Sequence, residues 1–482
     1  MAERPTQDET QTPAKRPGGP KIDVSLAAFA VSVLFLAFCF GVVVQRFKIF
    51  PYPVIHEAAR AFDALRHRDD DTLMAAAEAD DAAPPRPKIT VLSPKAGDEA
   101  ILVTGGPYQN LERCPRFGCM AWVQDRQGRI IHSWEVDLKA LTDGLTGFGM
   151  GFPPSQIAEN VYPIGVALTP DGGLVAALHG RNMYPYEVGV VRVDRNGRIL
   201  WKHFDSANHF LSVGPDGRIY SPATTVRGDL KYFGTTAVDV RCEGDKMLND
   251  SVRVYSPDGA VEHDFPMQDV ILNAGYPGLF YSVRDDCDPY HVNSVEVTSP
   301  QAASRLDGVN PGDLLVSVRE ESTILVLDGQ TGAVKRIVTG RTAAQHSAVF
   351  EPAGTVLAFD NRGGERELGG TRIVRVNLDT GATETVFPRS KAQLPDGPFF
   401  AAERGRIDVS PDGGRALVAS GEQGDIIEID LKTGDPLWMM HKSFDITGYP
   451  KLTGKKAKAK TADFLAYGAY YVPDVSIFAA KP

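Results

Sequence analysis

Short runs of alternating apolar and polar residues cover most of the chain, and each run ends in a turn that contains glycine. Typical segments are GVVRVDRNGRILWKHF and TILVLDGQTGAVKRIV. Alternation with a period of two predicts half-buried β-strands, and the intervening turns predict antiparallel connections. The 47 Gly and 34 Pro residues agree with an all-β chain of many short strands.

From about residue 88 the strand pattern recurs in six units. The units contain, in order, AWVQDRQGRIIHSWEV, GVALTPDGGLVAALHG, HFLSVGPDGRIYSP, HVNSVEV, QHSAVFEPAGTVLAFDN and RIDVSPDGGRALVASG. Six units that can each form four antiparallel strands predict a six-bladed β-propeller. One blade cannot bury both of its faces, so the ring must close, and FLAYGAYYVPDVSIF is expected to add a closing strand beside the N-terminal strands.

The N-terminal part of the chain has a different pattern. Residues Val24 to Val44 are 21 positions without a charge, enough for a helix to span roughly 30 Å of hydrocarbon. We predict a disordered cytoplasmic tail at 1–21, a transmembrane helix at 22–46, a juxtamembrane helix and linker at 47–87, and the propeller at 88–482. A cleaved signal peptide is the competing interpretation of the apolar run. The juxtamembrane helix is either a spacer or a site of self-association.

Composition narrows the class of protein. The net charge of -10 argues against a nucleic-acid partner, because phosphate binding needs basic surface. Outside the apolar run lie Cys114, Cys119, Cys242 and Cys287. Four cysteines permit two disulfides with three possible connectivities, whereas buried free thiols of a cytosolic protein are the alternative.

Three histidines occupy similar places in consecutive units. His209 and His346 each lie seven residues before a turn, and His291 opens the strand HVNSVEV. In a propeller the innermost strands line the central channel, so these imidazoles are expected to meet at one mouth of it. Arg319 ends the strand DLLVSVR in the same unit as His291. Imidazoles with a guanidinium suit an anionic tetrahedral group such as sulfate or phosphate.

These motifs, in this order, resemble the periplasmic arylsulfate sulfotransferases that work without a nucleotide sulfate donor. The likeness covers roughly residues 100 to 440 and rests on GCMAWVQDRQGRIIHSW, ILWKHFDSANHFLSVGPDG, HVNSVEV with LLVSVRE, QHSAVF with TVLAFDN, and DIIEIDLKTGDPLW. The resemblance implies a six-bladed propeller with its site at the channel. It also implies an extracytoplasmic propeller, here held at the inner membrane by one helix, with no cofactor and no resident metal.

The resemblance implies a ping-pong transfer from an aryl sulfate to a phenol or other hydroxyl. His346 would attack sulfur and form a sulfohistidine. His291 and Arg319 would hold the sulfuryl oxygens, and His209 would do likewise or protonate the leaving phenolate. Asn293 and Asn361 are weaker candidates for substrate binding. Asn293 is a candidate to orient His291, and Asn361 is a candidate to shape the loop after the strand of the QH motif.

Some features depart from the family or leave alternatives open. Relatives can carry two adjacent histidines where this chain has Asn208-His209, and the fourth unit contains an added loop, SPQAASRLDGVNPGD. A membrane-held enzyme favours a lipid or cell-surface glycan as acceptor, and a homodimer is left open. Three histidines can also bind zinc, although Arg319 disfavours a cation. The main alternative is a non-catalytic, membrane-anchored propeller that binds glycan or protein partners.

Overall fold

The computed structural model of the chain describes residues 24–47, 50–51, 86–105, 120–145, 161–180, 186–227, 247–281, 287–421, 423–445, 461–463 and 465–479. The predicted tail at 1–21 and nearly all of the predicted juxtamembrane segment lie outside these residues. So do Cys114, Cys119 and Cys242, and the two disulfides therefore stay a prediction. The chain divides into two compact units, Met1–Thr72 and Leu73–Pro482.

The described part of the first unit is mainly one helix, α1 (Val24–Phe47). Its stretch Val24–Val44 has a mean hydropathy of 2.7, and only 6% of the stretch is buried. Length and composition fit a membrane span, and a signal sequence near the N-terminus has the same properties. The apolar helix is confirmed, and the choice between anchor and signal sequence stays open.

The second unit is built almost entirely of β-strands. In chain order the described strands are β1 (Arg86–Val91), β2 (Ala100–Gly105), β3 (Trp122–Gln124), β4 (Ile130–Ser133), β5 (Val161–Leu168), β6 (Leu174–Gly180), β7 (Glu187–Val193), β8 (Ile199–His203), β9 (Ser212–Val213), β10 (Ile219–Arg227), β11 (Met247–Tyr255), β12 (Val261–Pro266) and β13 (Val292–Val297). They continue as β14 (Leu314–Val318), β15 (Thr323–Leu327), β16 (Val334–Thr339), β17 (His346–Phe350), β18 (Val356–Asp360), β19 (Arg372–Val376), β20 (Thr383–Phe387), β21 (Arg406–Val409), β22 (Arg415–Ala419), β23 (Ile426–Asp430), β24 (Pro436–Asp445), β25 (Thr461–Asp463) and β26 (Ala466–Val472).

Short helical segments connect some of these strands. They are α2 (Leu138–Thr142), α3 (Met267–Asn273), α4 (Pro300–Ala303) and the 3-10 turns Pro277–Tyr281, Arg366–Leu368, Lys391–Gln393 and Val475–Phe478. Helix α4 lies in the added loop of the fourth unit. Its first turn is capped by the Ser299 hydroxyl, which accepts a hydrogen bond from the Ala302 N–H at 3.2 Å.

The strands form six antiparallel sheets, and the predicted six-bladed propeller is confirmed. The sheets are β26-β2-β3-β4, β5 to β8, β9 to β12, β13 to β16, β17 to β20 and β21 to β24, which we number as blades one to six. The first strand of each blade lies beside the first strands of its neighbours around the axis. Between blades three and four this contact includes a parallel bridge from Phe210 to Ser294.

The predicted closure by the C-terminal segment is also present. Strand β26 is the inner strand of blade one and pairs with β2, with Ala100 opposite Val472. Strand β1 adds to the outer edge of blade six by pairing with β24. Segments from both ends of the propeller thus hold the ring closed.

Recurring turns explain why the sequence pattern is so regular. In blades four, five and six the turn before the outer strand begins with Asp328, Asn377 or Asp430. Each side-chain oxygen accepts a hydrogen bond at 2.9 Å from the N–H three residues further on. The glycine that ends each turn has a positive φ of 66° to 77°, a conformation that glycine adopts without a steric penalty.

The apolar core lies between blades. Six clusters of buried side chains combine residues from adjacent blades, and one of them also includes Tyr467 of a third blade. For example, Trp134 of blade one packs with Val166 and Val191 of blade two. Because each blade depends on its neighbours for burial, the positions of the inner strand starts are fixed by the whole ring.

Candidate active site

Three predicted histidines meet where the inner strands of blades three, four and five begin. His346 is the first residue of β17, His291 directly precedes β13, and His209 lies three residues before β9. The ring centroids are 4.9 Å apart for His209 and His291, 6.1 Å for His291 and His346, and 6.4 Å for His209 and His346. The structure therefore places the three imidazoles in one cluster.

The backbone at these strand starts is unusual. His209 has φ 48°, His291 has φ 51°, and Ser347, next to His346, has φ 50°. A residue other than glycine in this left-handed region costs of order 1–3 kcal/mol, and such residues gather at functional sites. Because a left-handed residue occurs at this point in three consecutive blades, the fold maintains the cluster in spite of its cost in backbone energy.

Each imidazole is anchored through Nδ1 by a side-chain oxygen. The partners are Asn208 for His209 at 2.8 Å, Asp288 for His291 at 2.5 Å and Asn361 for His346 at 2.8 Å. This arrangement leaves Nε2 of each ring for other contacts. The anchors differ in charge, so the three rings differ in protonation.

The surroundings of His346 fix its neutral form. The Asn361 amide nitrogen donates to the carbonyls of Ala401 at 2.9 Å and Arg404 at 2.6 Å, so its Oδ1 must accept the proton of His346 Nδ1. The Arg404 N–H donates to Nε2 at 3.3 Å, which agrees with a lone pair there. Burial, with the charges of His291 and Arg319, holds the pKa of His346 well below its usual range. His346 is therefore a neutral imidazole with a nucleophilic Nε2.

His291 is in the opposite state. Burial works to lower its pKa, but the Asp288 carboxylate outweighs burial and raises the pKa. Burial in turn works to raise the pKa of Asp288, and His291 lowers it below the ordinary value. The Tyr186 hydroxyl also donates to Asp288 Oδ2, at 3.1 Å. His291 is thus the protonated member of the cluster, paired with a carboxylate.

His209 lies beside a fourth imidazole. Its anchor Asn208 donates through Nδ2 to the Thr224 hydroxyl at 2.9 Å, which leaves Oδ1 to accept from His209 Nδ1. The ring of His179 is 4.9 Å from that of His209. Burial lowers the pKa of both well below the usual value, so both are neutral. The amide that replaces a second histidine at position 208 acts as the anchor of His209.

Two guanidinium groups act on the cluster. Arg319 follows β14 and is 8% exposed, and its backbone N–H donates to the His291 backbone carbonyl at 3.1 Å. Its guanidinium forms an ion pair with Glu320. Arg404 of blade six lies over the Tyr467 ring at 5.2 Å, and its charge lowers the pKa of His179 and His209. Positive charge therefore reaches the imidazoles from blades four and six.

The two asparagines predicted to bind substrate lie in supporting positions. Asn293 is fully buried and donates to the Gln345 carbonyl at 2.8 Å, which fixes the residue before His346. The Gln345 side chain donates in turn to Ser317, Val318 and Thr323 of the neighbouring blade. Asn361 orients His346 directly.

Several buried carboxyl groups surround Asp288. Burial, followed by the charges of Asp288 and Asp250, raises the pKa of Glu187 well above its ordinary value. Burial, followed by the charge of Asp250, does the same for Glu321. Burial and Asp288 raise the pKa of Asp250 to about 7. Asp288 is therefore the one member of this group whose pKa is lowered, and it carries the negative charge.

The spacing and the charge of the donor atoms indicate which ligands the cluster can bind. The donor atoms of His209, His291 and His346 lie within 4.8 Å of one another, a spacing that a metal ion can bridge. Arg319 and the protonated form of His291 are donors of the charge that a sulfate or phosphate ester needs. The cluster can therefore hold an anion, and the spacing of its donor atoms also fits a metal ion.

Sequence reasoning missed three members of the site. His179 is the last residue but one of the quoted segment GVALTPDGGLVAALHG, Asp288 stands three residues before His291, and Arg404 precedes the strand RIDV. The spacing from Asp288 to His291 was the available signal, because a carboxylate close to a histidine is a common acid–base arrangement. A separate cavity of about 300 Å³ is lined by Leu168, Val213 and Val472, at the far ends of inner strands, and contains no histidine.

Comparison with known families gives one match. A family profile described as arylsulfotransferase (ASST) matches residues 166–441, which is more than half of the chain. The match includes His179 and all the predicted site residues. A comparison with curated protein sequences finds no match.

Several solved structures are similar to this chain at low sequence identity. A Bacteroides caccae protein of unknown function is 12% identical, with 77% of this chain and 99% of that chain covered and a TM-score of 0.42. The Kuenenia stuttgartiensis hydrazine synthase is 12% identical, with coverage of 68% and 76% and a TM-score of 0.38. Virginiamycin B lyase from Staphylococcus aureus is 10% identical, with coverage of 57% and 68% and a TM-score of 0.34. At these values the likenesses carry no functional argument.

Proposed function

The chain belongs to the arylsulfotransferase family, and from that premise we propose that it transfers a sulfuryl group from an aryl sulfate to a phenol or other hydroxyl through a sulfohistidine. The single observation that carries this proposal is the state of His346. It is buried and neutral, and Asn361 holds its Nδ1 proton away from the centre of the cluster. Its Nε2 therefore carries the lone pair, and the 3.3 Å contact from the Arg404 N–H has to give way when this atom attacks sulfur.

The transfer has two balanced steps. In the first, Nε2 of His346 forms a bond to sulfur, the bond from sulfur to the aryl oxygen breaks, and a phenolate leaves. In the second, an acceptor oxygen forms a bond to the same sulfur, the nitrogen–sulfur bond breaks, and the acceptor proton passes to a basic group of the site. Dividing one difficult displacement into two easier ones is the benefit of a covalent intermediate.

The neighbouring groups suit the charge that develops. Arg319 supplies donors for the sulfuryl oxygens, and the protonated form of His291 adds a second positive charge beside them. Neutral His209 uses its one N–H, at Nδ1, in the hydrogen bond to Asn208. Its Nε2 can donate only in the protonated ring, and a bound anion favours that form by raising the pKa of His209. Asn293 and Asn361 support His346 and are assigned to positioning.

We assign the propeller to the extracytoplasmic side of the inner membrane, with α1 as a single-pass anchor. The domains proposed from the sequence, with boundaries at 21, 46 and 87, accompany this assignment. An anchored enzyme meets acceptors near the membrane, and a lipid or a surface glycan with free hydroxyl groups is the acceptor class that fits.

The test uses full-length protein in detergent with 4-nitrophenyl sulfate and phenol, and no nucleotide. We expect release of 4-nitrophenolate, loss of release of at least about 10³-fold in His346→Ala, and a mass increase of one sulfuryl group on His346 when the acceptor is omitted. His263→Ala, in the outer strand of blade three, is the matched control and should keep activity. Retained sulfate binding without release would instead support a binding module, and loss on chelation would support a metal site.

A further inference from the structure

The three anchored imidazoles do not offer the same group to the centre of the cluster. His209 and His346 give their single proton to asparagine oxygens, so each presents a lone pair at Nε2. His291 gives its Nδ1 proton to a carboxylate and keeps a second proton at Nε2. Among the described histidines of the cluster, His291 is therefore the ring whose anchor favours a second proton, at the Nε2 that faces the centre.

The partner of His291 is held in place from behind. Asp288 Oδ2 accepts from His291 Nδ1 at 2.5 Å and from the Tyr186 hydroxyl at 3.1 Å. Tyr186 is itself within 3.4 Å of His291 Nδ1, and a hydrogen bond joins it to Glu187. Tyr186 thus donates to the carboxylate that accepts the Nδ1 proton of His291. This is the arrangement of a histidine that alternates between acid and base.

The other charged groups around His291 are compatible with this role. Among the described residues they are Tyr186, His179, Glu187, His209, Asp250, Arg319, Glu320, Glu321 and His346. The carboxyls of Glu187, Asp250 and Glu321 are shifted toward their neutral forms, and Arg319 is paired with Glu320. The nearest full negative charge is therefore Asp288.

We propose that the Asp288–His291 pair, backed by Tyr186, is the acid–base couple of the transfer, with His291 as the catalytic residue and Asp288 and Tyr186 as positioning residues. This inference rests on the proposed function. In the first step His291 gives its Nε2 proton to the oxygen of the leaving phenol as the sulfur–oxygen bond breaks. In the second step the neutral His291 takes the proton of the acceptor hydroxyl as its oxygen bonds to sulfur. The couple ends as it began.

The couple widens the substrate class. A phenol with an electron-withdrawing substituent leaves as an anion without help, whereas a simple phenol or an alcohol is a poor leaving group and a weak nucleophile unless a proton is moved. An enzyme with this couple accepts un-ionised hydroxyls, including aliphatic hydroxyls of the kind found on sugars and lipids. This gives a chemical reason for the acceptor class proposed above.

The test compares two donors that differ in the acidity of the leaving phenol. Phenyl sulfate and 4-nitrophenyl sulfate are given to full-length wild-type protein and to Asp288→Asn, which keeps an oxygen for both donors but loses the charge. For phenyl sulfate we expect kcat to fall by about 10²–10³-fold, the range of general acid catalysis, and for 4-nitrophenyl sulfate by about tenfold or less. KM should change little for either donor.

Two further variants separate this role from a structural one. Asp313→Asn in the same blade removes a buried carboxylate paired with Lys335. It should leave the ratio of the kcat values for the two donors unchanged. Tyr186→Phe keeps the ring, removes one donor to Asp288, and should shift the ratio in the same direction by a smaller factor. It also provides the comparison if Asp288→Asn fails to fold.

The outcomes are distinct. Equal losses for the two donors, or none, in Asp288→Asn and Tyr186→Phe would overturn the acid–base role and leave the sulfotransferase proposal standing. Absence of turnover of both donors by the wild-type protein would overturn the proposed function, and this inference with it. If the ratio of kcat for phenyl sulfate to kcat for 4-nitrophenyl sulfate changes in Asp288→Asn and Tyr186→Phe but not in Asp313→Asn, the inference is supported.

Discussion

Replacing Asn361 by aspartate should turn His346 from a nucleophile into a cation. Asn361 Oδ1 accepts the Nδ1 proton of His346 at 2.8 Å, and a carboxylate in its place would stabilise a second proton on the ring. The chain contains its own precedent, because Asp288 at 2.5 Å raises the pKa of His291 in spite of burial. We therefore expect the pKa of His346 to rise through neutrality in Asn361→Asp.

The size of the effect follows from the protonation of the ring. Each unit by which the pKa of His346 exceeds the assay pH leaves roughly tenfold less neutral imidazole. The variant should consequently lose activity at neutral pH and regain it as the pH rises, because deprotonation restores the lone pair. Wild-type His346, with a depressed pKa, should show no such rise from this group above neutral pH.

Stability must be followed in the same experiment. The Asn361 amide also donates to the carbonyls of Ala401 and Arg404, and an aspartate cannot. Loss of one such hydrogen bond costs about 0.5–1.5 kcal/mol. That cost should lower the unfolding midpoint in urea without removing the fold.

The matched control lies in the same blade. Asn377 occupies the turn position that Asp328 and Asp430 hold in the adjacent blades, and all three accept the same hydrogen bond. Asn377→Asp should therefore leave the pH profile of kcat/KM unchanged. If Asn361→Asp shows the wild-type profile while folded, the assignment of His346 as the neutral nucleophile is wrong.

Two further predictions concern stability. Glu428 is fully buried between Arg126 at 2.9 Å and Arg415 at 3.3 Å, so Glu428→Gln should lower the free energy of unfolding in urea by about 3–5 kcal/mol, whereas exposed Glu384→Gln should cost under about 1 kcal/mol. Equal effects would contradict the importance of this ion network. His179 has a depressed pKa in the fold, so below about pH 6.5 the unfolded chain binds a proton that the folded chain does not. Wild-type stability relative to His179→Phe should therefore fall by about 1.4 kcal/mol per pH unit as the pH decreases below that value, and a constant difference in urea unfolding between pH 7 and 5 would refute this.

The propeller could be predicted because its determinants are local and repeated. Alternating strands and the turns at Asp328, Asn377 and Asp430 recur with the same hydrogen bonds, so each unit carries the information for its own sheet. Ring closure by the C-terminal segment followed from the need of every blade for two neighbours. The addition of β1 to blade six was not predicted, because its six residues contain no distinctive motif.

The candidate site was only partly predictable. Equal spacing from a turn selected His209 and His346, and the strand HVNSVEV selected His291, because repeated units put equivalent residues at one end of the channel. His179 comes from the second strand of its blade and reaches His209 across a blade boundary, which no local pattern encodes. The contact between Arg404 and His346 likewise joins blades five and six.

The chemistry depends on differences among otherwise equivalent positions. In three consecutive blades an imidazole is held at Nδ1 by a side-chain oxygen, and the simplest variable is whether that oxygen belongs to an amide or a carboxylate. Amide anchors at Asn208 and Asn361 leave neutral rings with lone pairs, while the carboxylate of Asp288 keeps a proton on the ring between them. The proposed nucleophile, His346, and the proposed acid, His291, are thus distinguished by their anchors although their ring centroids are only 6.1 Å apart. On this argument, the histidine whose Nδ1 faces a carboxylate should be the protonated one. Asn361→Asp tests this by adding a carboxylate beside His346, and Asp288→Asn tests it by removing the carboxylate beside His291.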